Sequence, residues 1–142
     1  MSNIKKFAVA ETSTLHLKDA NDDLMYADGA DGNPDKSKPM RIKLYGPGSK
    51  QYAKVQAASN NKLFTRLKKK GKEDQSVEDQ AQEGADKLAA LTHSFENISY
   101  DDLAGEALHK AVYLDETIGF IPAQVNAHLN DWANFTKTSA KN

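Results

Sequence analysis

The chain changes its hydrophobic period about a third of the way along. In "TLHLK" Leu15 and Leu17 alternate with Thr14, His16 and Lys18; in "MRIKLY" Met40, Ile42 and Leu44 alternate with Arg41, Lys43 and Tyr45. Alternation of this kind predicts strands with one buried face. "KFAVA", with Phe7 and Val9 on one side, predicts a further strand, and "LMY" at 24–26 a short one after the "NDD" turn. Residues 27–39, "ADGADGNPDKSKP", have almost nothing apolar to bury and read as a long surface loop.

From Ser49 onward the spacing becomes helical. Tyr52, Val55, Leu63 and Leu67, with small Ala57, Ala58 and Ser59 between them, predict a helix to about Lys70 that breaks at Gly71. A second helix begins near Ser76, which stands at capping-box spacing from Asp79. Its stripe is Val77, Ala81, Ala85, Leu88 and Leu91. Gly84 interrupts it at a cost of about 1 kcal/mol relative to alanine. Asp101 or Asp102 can cap a third helix carrying Leu103, Ala107, Leu108, Ala111 and Val112. The fourth opens at "GFIPAQ", where Pro122 suits only a first turn, and places Ile121, Val125, Leu129 and Trp132 on one face. Strands followed by helices predict the α+β class. The expected architecture is a small antiparallel sheet within residues 5–45, about four helices within 49–135, and a frayed tail at 136–142. At 142 residues this is expected to be a single domain.

Composition narrows the function classes. Nineteen basic and twenty acidic residues nearly cancel, so no overall field draws the chain to nucleic acid or an anionic membrane. The absence of cysteine excludes disulfides, thiolate catalysis and cysteine-ligated metal, and it fits a reducing compartment. No apolar run approaches the length of a membrane span, and the N-terminus lacks the apolar core of a secretory signal.

Each stretch that hints at chemistry has a simpler reading. "LYGPGSKQY", residues 44–52, superficially suggests a phosphate loop between a strand and a helix. Such a loop needs four residues between its first glycine and Gly-Lys-Ser/Thr; here serine precedes lysine, and Pro47 removes an N–H the nest would use. Ser49 is better read as a helix N-cap. "DGNPDKS" offers Asp31, Asn33 and Asp35 to calcium, but the positions that demand glycine and a bidentate glutamate hold Lys36 and Ile42. The basic cluster "RLKKKGK" at 66–72 is followed at once by acid and reads as a solvated helix end. His16, His93, His109 and His128 have no pair at helical ligand spacing. "NIS" at 97–99 is a formal glycosylation sequon, relevant only in a secreted chain. No catalytic residue, cofactor site or metal site is expected. The apolar area of "GFIPAQVNAHLNDWANF" is expected to be mostly core. For Trp132 and Phe135, close to the chain end, a core role and a partner-binding role both stay open.

The "TLHLKD" strand, "RIKLYGPGSKQY" leading into a helix and the closing "GFIPAQVNAHLNDWANFTK" together resemble a family of small proteins of tailed phages and prophages, the tail assembly chaperones of long-tailed phages. The resemblance spans roughly residues 7–137, and "GPGSKQY" and "DWANFTK" carry most of its specificity. It implies a non-enzymatic protein of the infected host's cytoplasm that binds and solubilises the tape-measure protein, helps recruit tail tube subunits, and leaves before the virion is complete. It offers no catalytic residues to carry over; apart from the resemblance, the expectation for partners includes a homo-oligomer and no membrane. The alternative expectation is a structural virion protein of the tail or the head–tail junction.

Overall fold

In the computed structural model, residues 3–68 and 77–137 are described. Three strands form an antiparallel sheet in the order β1 (Thr12–His16), β4 (Arg41–Tyr45) and β5 (Thr92–Glu96). A separate hairpin, β2 (Tyr26–Asp28) with β3 (Pro34–Pro39), extends from the turn between β1 and β4. Among the described residues there are four α-helices: α1 (Lys50–Lys68), α2 (Val77–Ala90), α3 (Gly105–Leu114) and α4 (Phe120–Leu129). The protein is α+β, as the order of periods predicts.

The central strand shows why one face is buried. Ile42 and Leu44 are wholly inaccessible, whereas Lys43 between them is exposed. Register carries the same division to β1, where Ser13 stands opposite Leu44 and Leu15 opposite Ile42. The buried cluster continues into the helices through Leu88, Leu108, Val112, Ile121, Val125 and Leu129, so both halves of the chain share one core. On α4 the faces of Ile121, Val125 and Leu129 are buried as their spacing requires, and Pro122 occupies the first turn.

Several expectations are corrected. "KFAVA" forms no strand: Ile4–Phe7 is a short 3₁₀ helix begun by the Asn3 side chain, which accepts from the Lys5 N–H at 2.9 Å, and Phe7 is exposed. The backbone beyond it is engaged by the other end of the chain, with the Ala10 N–H donating to the Phe135 carbonyl at 2.7 Å. The 27–39 loop is mostly the β2–β3 hairpin. It closes through local polar bonds, among them Gly29 N–H to the Asn33 carbonyl at 2.8 Å, rather than through apolar burial. The third helix is not capped by Asp101 or Asp102; Asp101 takes a positive φ of 51°, and α3 begins at Gly105 after Ala104.

The helical half also contains a strand. β5 pairs with β4 from Arg41–Glu96 to Leu44–Thr92, with a register shift between Lys43 and Leu44. The shift leaves His93 and Ser94 against one residue of β4, a bulge that puts Thr92 and Phe95 on the same inner face although they stand three apart. Of the expected helix boundaries, the end near Lys70, the break at Gly71 and the Ser76 cap lie outside the described residues, as do most of the basic cluster at 66–72 and residues 138–142 of the tail.

Candidate functional site

The "GPGSKQY" turn is structural, with Gly46 and Ser49 buried and Gly48 and Lys50 exposed. The Ser49 hydroxyl donates to the Gly46 carbonyl at 2.8 Å and accepts the Tyr52 N–H at 3.0 Å, which makes it the N-cap of α1. The Gly46 N–H donates to the Glu11 carbonyl. A Cβ on Gly46 would overlap the Phe135 ring, and one on Gly48 would come within 2.6 Å of a Val9 methyl. The glycines admit the two chain ends to the turn and leave no open cradle for an anion.

The other candidates are likewise occupied locally. Asp31 accepts from the Asn33 N–H and Asp35 from the Ser37 N–H, each carboxylate closing its own turn. Those bonds hold both carboxyls below the usual range. Among the described residues no three His, Cys, Asp or Glu side chains cluster as metal ligands. The histidines lie apart: His16 bonds the Met25 carbonyl, His93 the Ser94 hydroxyl, His109 stacks on Phe95 with centroids 4.2 Å apart, and His128 meets Ser13. Ser13 Oγ and His128 Nε2 are 3.1 Å apart, but Ser13 is 3% exposed, so this pair ties β1 to α4 inside the protein. Asn97, the sequon residue, donates to the Pro39 carbonyl at 2.8 Å.

Trp132 and Phe135 part company. Both lie in a 3₁₀ helix, Trp132–Phe135, begun when the Asp131 carboxylate accepts the Ala133 N–H at 3.0 Å. That change of helix type breaks the four-residue rhythm of α4 and sends the two rings in different directions. Phe135 is completely buried against Gly46 and the His128 ring, whereas Trp132 is 57% exposed. Of the two, only Trp132 has an exposed ring.

Two openings flank α2. Its C-terminal half is core, with Ala85, Leu88 and Ala89 buried, and Gln51 at the start of α1 donates to the Ala90 carbonyl at 2.9 Å. Away from that junction the two helices are far less covered: Leu63 and Phe64 on α1 and Val77 on α2 are all at least half exposed. Between the facing sides of α1 and α2 lies a hollow of about 360 Å³, walled by Val55, Ala58, Ser59 and Lys62 on α1 and by Gly84 and Ala90 among others on α2. A second, of about 280 Å³, lies between α2 and the α3–α4 corner, over Ala85, Leu88, Tyr113, Leu114 and Pro122. Gly84 and Lys87 line both.

Both signs of charge line these openings: Lys62, Glu83, Asp86 and Lys87 stand around the α1-side hollow, and Lys87, Asp115 and Glu116 around the other. At the far wall Asp115 accepts from Thr117 and from the Tyr100 hydroxyl at 2.8 Å, bonds that hold its carboxyl below the usual range. Deeper in, burial pushes the Tyr113 phenol up; its oxygen lies 2.7 Å from the Thr92 hydroxyl. Sequence reasoning registered Gly84 only as a weak point of a helix; the run of small residues on both helices was the available sign of an underfilled seam. Compared with known proteins, no family model, no curated protein and no solved structure matches the chain.

Proposed function

We propose that the protein is a binding protein rather than an enzyme, and that it acts as a tail assembly chaperone of a long-tailed phage or prophage. In this reading it holds the tape-measure protein soluble in the host cytoplasm and helps recruit tail tube subunits. The resemblance in "RIKLYGPGSKQY" and "DWANFTK" supplies the class. The observation that supports it in the fold is the open, small-residue surface around α2, with hollows on both sides and charged residues at its edges. A long amphipathic client helix needs such a groove for its apolar side and a charged exterior around it. Many copies along one client would gain by avidity even if each binds weakly.

Co-expression with the tape-measure protein encoded nearby tests the proposal. The expected result is a soluble client that co-purifies with the chain. A client that stays insoluble, with nothing co-purifying, overturns it. Mass spectrometry of purified particles separates the structural alternative, since a chaperone is absent from virions and a tail or junction protein is present in fixed stoichiometry.

A further inference from the structure

β1 is an edge strand of the three-stranded sheet, and its residues alternate in the side their backbone groups serve. The Gly46 N–H donates to the Glu11 carbonyl and the Leu17 N–H to the Met40 carbonyl, so Glu11, Ser13, Leu15 and Leu17 bond toward β4. The backbone groups of Ala10, Thr12, Thr14, His16 and Lys18 therefore point away from the sheet. Such a row is a template for another strand, and folds blunt it with proline, charge or a bulge. β5, at the opposite edge, has the bulge at His93 and Ser94. β1, "TSTLH", pairs without a register shift and contains no proline, carboxylate or lysine. Lys18, just beyond it, is engaged by Asp22 at 3.7 Å.

The closure comes from α4. Gln124 Oε1 accepts the Lys18 N–H at 2.8 Å, and Gln124 Nε2 donates to the Lys18 carbonyl at 2.7 Å. The same nitrogen donates to the Phe120 carbonyl at 3.0 Å, one turn back in its own helix, which fixes the side chain in place. A single side-chain amide thus offers Lys18 the donor and the acceptor that a neighbouring strand would offer. At the other end of the row the Ala10 N–H is taken by the Phe135 carbonyl at 2.7 Å. Between these two points, the outward backbone groups of Thr12, Thr14 and His16 have no hydrogen-bond partner among the described residues.

We infer that Gln124 guards a latent pairing surface on the edge of β1, and that the partner this surface takes when unguarded is β1 of a second copy. A strand edge is complementary to itself under a two-fold axis, because each outward N–H meets an outward carbonyl of the antiparallel copy. In a pair centred on His16, Thr14 of each copy stands opposite Lys18 of the other, and Lys18 is where Gln124 sits. A pair centred on Thr14 would set Lys18 against Ala10, whose N–H Phe135 holds, so loss of Gln124 opens the first register and not the second. The inference is independent of the chaperone reading.

The test uses the full chain, with sedimentation equilibrium for mass and amide exchange for location. In the wild type the protein is expected to be monomeric, with the Lys18 amide protected and those of Thr14 and His16 exchanging fast. Gln124→Leu removes the guard and leaves no charge in its place. Its Lys18 amide is expected to lose protection by about tenfold in dilute solution. As concentration rises its mass should climb toward that of a dimer, with Thr14, His16 and Lys18 becoming protected together. Gln124→Glu loses the donor to the Lys18 carbonyl but sets a charge on the edge, and is expected to stay monomeric. A role confined to holding α4 in place predicts the same association state for both variants. Thr14→Pro, added to Gln124→Leu, deletes an outward N–H that β4 does not use and is expected to restore the monomer. Fast exchange of the Lys18 amide in the wild type overturns the guard without any variant. A folded Gln124→Leu protein that stays monomeric at every concentration overturns it, as does association that the glutamate variant shares or that Thr14→Pro leaves intact. Should Gln124→Leu fail to fold, Gln124→Ala is read by the same outcomes.

Discussion

The ring of Phe135 fills the space that a side chain on Gly46 would need. The last 3₁₀ helix of the fold is thereby keyed to the turn where the sheet hands over to α1. A neighbouring backbone bond, from Ala10 N–H to the Phe135 carbonyl, brings the N-terminal segment to the same place. Gly46→Ala forces either the ring or the turn to move, and overpacking of this kind costs about 1–3 kcal/mol. Phe135→Ala empties the site and costs about 3–5 kcal/mol. Because the two residues share one space, the double variant is expected to lose less than the two single losses added together. Urea unfolding midpoints of the four proteins measure this; strict additivity would show that the ring and the turn are independent.

Trp132, three residues away, should behave in the opposite manner. Its ring is 57% exposed, so Trp132→Ala is expected to change stability by no more than about 1 kcal/mol, where a buried tryptophan would cost about 3–5 kcal/mol. The chain contains one tryptophan, which makes the test direct. Emission should be red-shifted and readily quenched by acrylamide in the folded protein, and unfolding should move the maximum little. A blue-shifted, protected emission would contradict the exposed placement.

These two residues show where periodicity stops being informative. Ile121, Val125 and Leu129 keep helical spacing and are buried, so α4 could be read directly; continuing the same count reached Trp132 as though the helix went on. The Asp131 cap starts a different helix there, and buried Phe135 follows a geometry that the α4 period does not describe. The sheet has a similar division. Ile42 and Leu44 announce β4 because a regular strand alternates, whereas the bulge at His93 and Ser94 places Thr92 and Phe95 inward three apart and erases the alternation of β5. The β2–β3 hairpin was hidden for another reason: it is held by turn chemistry and backbone pairing with no buried apolar face to leave a pattern. The openings around α2 depend on side chains that are missing rather than present, and only the packing of α1, α3 and α4 around them makes that visible.

His128 and His109 should make stability depend on pH in a defined window. Burial pushes both imidazoles below their ordinary value of 6.5, against weaker opposing attraction from Asp131 and Glu106 respectively. In the unfolded chain each takes up a proton near that value, before the folded form does. The unfolded state therefore binds more protons as pH falls below about 6.5, and stability declines with a slope of at most ~1.4 kcal/mol per pH unit for each histidine. Above this window both states are neutral and the histidines contribute no slope. Asp115, whose carboxyl is held low by Thr117 and Tyr100, acts in a separate, more acidic window, where its stabilisation is lost as pH falls below the usual carboxylate value. Unfolding free energies between about pH 2 and 8 test this. His128→Gln should flatten part of the slope below 6.5 and leave the acidic limb in place, whereas an unchanged slope in that variant would remove His128 as a source.

Shortening the β2–β3 hairpin should cost the fold little. Every residue of β3 is exposed or only partly covered, and the core begins beyond it at Ile42. The bonds that tie the hairpin base to the sheet run from Met25 N–H to the Leu17 carbonyl, from Met40 N–H to the Met25 carbonyl, and from Leu17 N–H to the Met40 carbonyl. Replacing residues 28–37 by Asn-Gly retains those bonds and the pairing of Tyr26 with Pro39, and it supplies a two-residue turn of the kind that suits a hairpin. Closing a shorter loop is slightly favourable, so stability is expected to stay within about 1 kcal/mol of wild type. Client capture should also be unchanged, because neither hollow around α2 includes a hairpin residue. Thermal unfolding together with the tape-measure co-expression assay reads both quantities. A shortened protein that folds normally but no longer captures the client would move the binding surface from α2 to the hairpin.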